Sequence, residues 1–167
     1  LGILYLMMGD YAKAEPFFLQ ALNIRKEVLG QKHPAYANSL NNLGVLYEDM
    51  GDYVKAESFK VQALNIRNEV LGQKHPDYAE SLNNLGVLYA DMGDYAKAES
   101  FFLQTLNIRK TVQGQKHPDY AKSLNNLGAL YNNMGAYAKA ESFSLQALNI
   151  LKEVLGQKHP DYAKSLM

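Results

Sequence analysis

The chain repeats itself every 42 residues, and no other feature constrains its fold as strongly. His33-Pro34 returns as His75-Pro76, His117-Pro118 and His159-Pro160. Gly9, Gly51, Gly93 and Gly135 keep the same step, as do Gly2, Gly44, Gly86 and Gly128. Residues 35–76 and 77–118 agree at 32 of 42 positions, and residues 77–118 agree equally well with 119–160. Self-similarity at a period of roughly 20–50 residues marks a solenoid, in which each unit buries its apolar face against its neighbours. The period divides the 167 residues into a single array: a partial unit 1–34, full units 35–76, 77–118 and 119–160, and a partial first helix 161–167. An array of this kind offers an extended surface rather than a catalytic pocket, which points to binding.

Within one unit the apolar spacing is helical. Leu40, Leu43, Gly44, Leu46 and Tyr47 recur at steps of three and four, the stripe of an amphipathic helix over Tyr36–Met50. Pro34 suits the first turn, where its missing N–H would have no partner anyway. In the later units Asp77, Asp119 and Asp161 follow the proline and meet the positive end of the helix dipole. Gly51-Asp52 predicts a stop and a new start: glycine takes the left-handed closing conformation, and the aspartate caps the next helix. That second helix is predicted from Tyr53 to Leu71, packing through Ala56, Phe59, Ala63, Leu64, Ile66 and Val70, with Gly72 ending it. Gly44 and Ala56 predict a close approach of the paired helices, with Tyr47 and Phe59 beside them. The fold class is therefore all-α, a right-handed superhelical solenoid of antiparallel helix pairs.

At these residues the sequence resembles the tetratricopeptide repeat, through Leu40-x2-Leu43-Gly44-x2-Tyr47 and Ala56. Leucine stands where the family pattern has tryptophan. The aromatic after Ala56 comes one place early, at Phe59, so Lys60 takes the aromatic's usual position; Phe18 and Phe102 do hold that position, and Ser144 does not. Eight residues beyond the family's usual unit lengthen the second helix and its exit. With Ser81-Leu82-Asn83-Asn84-Leu85, Gly93-Asp94-Tyr95 and His117-Pro118, this long form is similar to the kinesin light chain type. Similar arrays are attached to bacterial caspase-like proteases and STAND-type NTPases.

The resemblance implies that the first helix of each unit lines a concave groove. The matching columns hold Asn38, Asn41, Asn42, Val45, Glu48 and Asp49, then Glu80, Asn83, Asn84, Val87 and Asp91, then Lys122, Asn125, Asn126, Asn132 and Asn133. An asparagine amide both donates and accepts, so a ladder of them can bond an extended peptide backbone whatever its side chains. Asn42, Asn84 and Asn126 are the members assigned to peptide contact; one of each pair can equally brace a neighbouring helix. Chaperone-binding relatives hold a C-terminal carboxylate with several cations, whereas these columns contain only Lys122. Glu48, Asp49, Glu80 and Asp91 make the groove acidic, which favours a basic or neutral peptide. Ile3, Leu6 and Met7 bring an apolar patch to the same columns.

Other function classes find little support. Lys+Arg and Asp+Glu both total 17, so the basic surplus that draws a chain to nucleic acid is missing. The longest apolar stretch, near Ile3–Met8, falls far short of the ~20 residues of a spanning helix, so no membrane partner is expected. The absence of cysteine suits a cytoplasmic protein. The histidines stand one per unit, too far apart to converge on one metal, and read as braces of the inter-repeat turn. No nucleophile, acid–base pair or phosphate loop departs from the repeat pattern, so no enzyme activity, cofactor or metal is expected. The function expected is a scaffold that binds an extended peptide segment of a partner protein. The alternatives are a regulatory or sensor arm of a larger protease or NTPase, and a self-stacking spacer. The last would join copies head to tail through Leu1, Leu4 and Tyr5 of one and Tyr162 and Leu166 of the next.

Overall fold

The structure, a computed structural model, describes residues 1–156 and 158–165. Among these residues the chain is helical throughout, with no strand. The helices run α1 (Gly2–Met7), α2 (Tyr11–Leu29), α3 (Pro34–Asp49), α4 (Tyr53–Leu71), α5 (Pro76–Asp91), α6 (Tyr95–Val112), α7 (Pro118–Asn133), α8 (Tyr137–Leu155) and α9 (Pro160–Ser165). The expected boundaries hold to within two residues. They form two compact units, Leu1–Leu88 and Tyr89–Met167. In the first, α1 pairs with α2 and α3 with α4; in the second, α7 pairs with α8.

The breaks follow the predicted chemistry. Gly51 takes φ +77° and Gly72 φ +81°, conformations that a side chain would strain. Asp10, Asp52 and Asp94 each accept the backbone N–H three residues on, capping α2, α4 and α6. Ala136 holds the same place before α8 and caps nothing. The histidines are caps as well: the N–H groups of Ala35, Asp77, Asp119 and Asp161 donate to Nδ1 of His33, His75, His117 and His159 at 3.1 Å.

The core is a set of leucine columns. Leu40, Leu43 and Leu46 in α3, and Leu124, Leu127 and Leu130 in α7, are at most 1% exposed. Each such side chain contributes about 1.5–3 kcal/mol by leaving water. Gly44 lets α3 meet α4: a Cβ there would lie 3.3 Å from the Ala56 carbonyl oxygen and 2.7 Å from Lys60 Cγ. Tyr47 stacks on Phe59 with ring centroids 5.5 Å apart, and Tyr131 on Phe143 repeats that spacing.

The packing face of α4 differs from the expected one. Ala56 and Ala63 are buried as predicted, but Val70 is 42% exposed while Lys60 and Arg67 are 2% and 6% exposed. The helix turns its aliphatic C-terminal valine outward because the guanidinium of Arg67, one turn earlier, finds acceptors on α5 and α3. It donates to the Asp77 carbonyl at 2.9 Å, to Ser81 Oγ at 2.7 Å and to Asn38 Oδ1 at 2.7 Å. Burial lowers the pKa of Arg67 below the ordinary guanidinium value, with the nearby Asp77 and Glu80 opposing that shift.

Candidate functional site

A helix shows one stripe of side chains at steps of three and four. On α3 one such stripe runs Asn38, Asn42, Val45, Asp49, and on α7 Lys122, Asn126, Ala129, Asn133. Asn38, Asn42 and Asp49 are exposed and Val45 half-buried, while Lys122, Asn132 and Asn133 are exposed with Asn125 and Asn126 half-buried. Glu80, Val87 and Asp91 are exposed on α5, and Asn83 and Asn84 half-buried. The predicted columns thus lie on the accessible faces of α3, α5 and α7.

Several of these side chains are already engaged. Asn84 Nδ2 donates to Asn41 Oδ1 at 2.9 Å, so the amides of α3 and α5 join directly. That pairing uses one function of each and leaves Asn41 Nδ2 and Asn84 Oδ1 for a ligand. Asn38 accepts from Arg67. Asn42 makes no side-chain bond among the described residues, so its amide is available to a ligand. Lys122 lies 3.3 Å from Asp119 on its own helix.

Glu48 differs most from its expected role. Its carboxylate pairs with the Lys60 ammonium, which also donates to the Asn84 carbonyl at 3.2 Å. The two side chains are 11% and 2% exposed, so this acid adds little negative charge to the surface. The lysine rises through the position that Phe18 and Phe102 fill elsewhere, and its ammonium ends beneath the asparagine ladder. Of the other acids expected on this face, Asp49, Glu80 and Asp91 are exposed.

The apolar residues of α1 border hollows rather than forming a plain patch. Ile3, Leu6, Phe18, Asn42 and Val45 line a cavity of about 90 Å³. A larger one, about 320 Å³, opens beside it between α1, α2 and α3, with Phe17, Arg25 and Ser39 in its wall. Of the residues expected at end-to-end contacts, Leu1 and Leu4 are 76% and 54% exposed, and Tyr5 stacks on Phe17 at 5.8 Å. Tyr162 packs against the cluster of Tyr120, Leu124 and Leu151. Leu166 lies outside the described residues. Among those residues no group of three or more His, Asp or Glu side chains could hold a metal ion, and no helix is long and apolar enough to cross a membrane.

Sequence reasoning passed over the polar residues that organise these faces, Arg67 and Lys60. The repeat held a signal for both. Arg25, Arg67 and Arg109 share one column and each donates to the serine 14 residues on, Ser39, Ser81 or Ser123. Glu48 and Lys60 change together from unit to unit, to Ala90 with Phe102 and to Asn132 with Ser144.

Helix pairs repeated at a fixed period, with a polar stripe on α3, α5 and α7, define a helical-repeat solenoid. Models of the tetratricopeptide repeat match residues 1–69, 47–111 and 121–161, and the chain belongs to that family. Among solved structures it is similar to BtubC (BKLC) from P. vanneervenii, at 27% identity and TM-score 0.84, over 99% of this chain and 66% of that one. It is also similar to a kinesin-light-chain-type protein of Podosopora anserina with nearly identical TPR-like repeats, at 24% identity and TM-score 0.79, over 99% and 78% of the two chains. The apo form of RapI shares the fold at 21% identity and TM-score 0.77, over 99% of this chain and 57% of RapI. The chain thus spans about two thirds of BtubC's length. No curated protein matches. The coarse function that follows is that of a protein-interaction scaffold.

Proposed function

We propose that the stripe on the first helices holds an extended segment of a partner polypeptide, with Asn42, Asn84 and Asn126 bonding its backbone. The observation that carries this reading is the amide ladder itself. Asn42 is exposed and uncommitted, and the Asn84–Asn41 bond fixes the orientation of Asn84 while leaving its oxygen open. A pre-oriented amide loses less freedom on binding than a mobile one. Asn41, Val45, Asn83, Asn125, Asn132 and Asn133 flank the three contacts, and Val45 and Val87 give the peptide apolar ground between them.

The preferred ligand is basic or neutral, because Asp49 and Asp91 are exposed while Glu48 is balanced by Lys60. A random peptide library displayed against the 167-residue chain tests this. Selected peptides should be basic or neutral and should lose roughly a hundredfold in affinity when Asn42, Asn84 and Asn126 all become alanine, at about 1 kcal/mol per lost bond. Unchanged binding by a triple variant that melts like the parent would overturn the assignment.

A further inference from the structure

We infer that the Glu48–Lys60 pair sets a side-chain specificity of the stripe. Where the bound peptide crosses from α3 to α5, it must present a neutral hydrogen-bonding side chain, a hydroxyl or a primary amide, rather than an apolar one. The inference rests on the stripe being the ligand surface and adds the chemistry read at this step. Glu48 meets the ligand, and Lys60 is the positioning residue behind it.

The pair is among the few things that change in a nearly invariant repeat. Of the 42 positions, 32 agree between residues 35–76 and 77–118 and ten differ, and the columns of Glu48 and Lys60 are two of the ten. Along the chain these columns read Leu6 with Phe18, Glu48 with Lys60, Ala90 with Phe102 and Asn132 with Ser144. The members match in chemistry each time: apolar with apolar, anion with cation, amide with hydroxyl. Columns that serve helix packing keep one solution instead, as buried Leu43, Leu85 and Leu127 do, and Ala56, Ala98 and Ala140.

The geometry brings this pair to the ladder. The Lys60 stem crosses α3 at Gly44, where a built Cβ would stand 2.7 Å from Lys60 Cγ. Its ammonium pairs with Glu48 and donates to the Asn84 carbonyl at 3.2 Å. The same Asn84 sends its Nδ2 to Asn41 Oδ1. Helices α3, α4 and α5 are thereby tied together at the residue whose amide the stripe offers. Glu48 is the outer member of the pair, 11% exposed against 2% for Lys60. Val45 lies one turn before it on α3, and Val87 one turn beyond Asn84 on α5.

An apolar side chain laid over Glu48 would strip the water left to the carboxylate and return no hydrogen bond. A charged one would add an unbalanced charge to a neutral pair in a place already largely out of water. A hydroxyl or primary amide avoids both costs, because it donates to the carboxylate, and a bond to an ionised acceptor is the stronger kind. The same columns in the next repeat, Ala90 over Phe102, offer no polar side-chain atom, and Phe102 is 3% exposed. That combination suits an apolar side chain.

Two selections from one random peptide library test this, one on the 167-residue protein and one on Glu48→Ala/Lys60→Phe. Peptides from the parent should carry serine, threonine, asparagine or glutamine at one position. Those from the double variant should carry leucine, isoleucine, methionine or phenylalanine there and agree elsewhere. Leucine in place of the polar residue of a parent-selected peptide should weaken it about tenfold or more on the parent, the loss of one hydrogen bond to a charged group, and strengthen it on the variant. Glu48→Gln/Lys60→Met keeps the shapes, removes both charges and should cut that discrimination about fivefold. Melting curves identify which variant is folded, and either one suffices. A pair that only held the helices together would change the affinity of both peptides equally. Peptides that ignore Asn42→Ala overturn the stripe reading and this inference with it. Peptides that weaken in Asn42→Ala yet show one and the same preference on the parent and the variant overturn this inference alone.

Discussion

Removing Lys60 alone should destabilise the first unit far more than replacing it together with Glu48. The ammonium and carboxylate are 2% and 11% exposed, so solvent screens the pair little. Lys60→Ala strips the cation from a nearly buried carboxylate and leaves a void beside Gly44, whose built Cβ would stand 2.7 Å from Lys60 Cγ. Breaking a pair of this kind costs about 3–5 kcal/mol. Glu48→Ala should cost toward the lower end, because the ammonium keeps its bond to the Asn84 carbonyl at 3.2 Å. The double variant Glu48→Ala/Lys60→Phe installs the combination that Ala90 and Phe102 provide in the next repeat, where Phe102 is 3% exposed. In the first helix pair an aromatic already lies over a glycine, with the Phe18 ring 3.5 Å from a built Gly2 Cβ. Apolar replacement of a buried ion pair is often neutral or stabilising by about 1–4 kcal/mol. The double variant should therefore lie near the parent. Urea unfolding of the parent, Lys60→Ala, Lys60→Phe, Glu48→Ala and the double variant gives the coupling directly. Single costs that add to the double within about 0.5 kcal/mol would refute the reasoning, since they would show two independent sites.

Ala136→Asp should supply the cap that Asp52 and Asp94 provide elsewhere, on a backbone of the same conformation, and raise stability by about 1 kcal/mol in a thermal melt. Gly44→Ala should cost about 1–3 kcal/mol, because the Ala56 carbonyl and the Lys60 stem already crowd the space; urea midpoints measure it. The hydroxyls of Tyr47 and Tyr131 donate to Glu15 and Glu99, and the pKa of each is pushed up to about 12, by burial first for Tyr47 and by the carboxylate bond first for Tyr131. An unfolded tyrosine ionises near pH ~10, so stability from these groups is present below that pH and declines as pH rises toward about 12. Urea midpoints should fall over that range, and the fall should be smaller in Tyr47→Phe. Asp52 has its carboxyl pKa lowered chiefly by the backbone N–H of Lys55, so its contribution is present above the ordinary aspartate value and lost in stronger acid. Asp52→Asn, which keeps the cap without the charge, should flatten the acid limb of the stability profile.

What could be read in the sequence was what repeats by periodicity. The step of three and four that carries Leu40, Leu43 and Leu46 cannot serve a strand, and glycine beside aspartate stops one helix and caps another wherever it occurs. The same reading failed at Arg67 and Val70. Apolar periodicity ranks valine above arginine for burial, yet the arginine finds three oxygen acceptors on two other helices, which no pattern within α4 discloses. In the sequence Lys60 reads only as a missing aromatic. Its burial depends on Glu48, 12 residues earlier on another helix, and only their joint change between repeats hints at contact. The asparagines show a similar limit. A doublet in sequence specifies two adjacent columns but not that Asn84 would reach back to Asn41, or that Asn42 would stay uncommitted.

On the proposed function, the stripe of first-helix side chains is the ligand surface. Its most direct measurement is side-chain amide spectroscopy of the asparagines during titration with a library-selected peptide. Binding on this surface requires the Asn42, Asn84 and Asn126 Nδ2 signals to move along saturating curves with one shared affinity, and Asn42→Ala to weaken that affinity about fivefold or more. Saturable binding that leaves all three amides unmoved would contradict it.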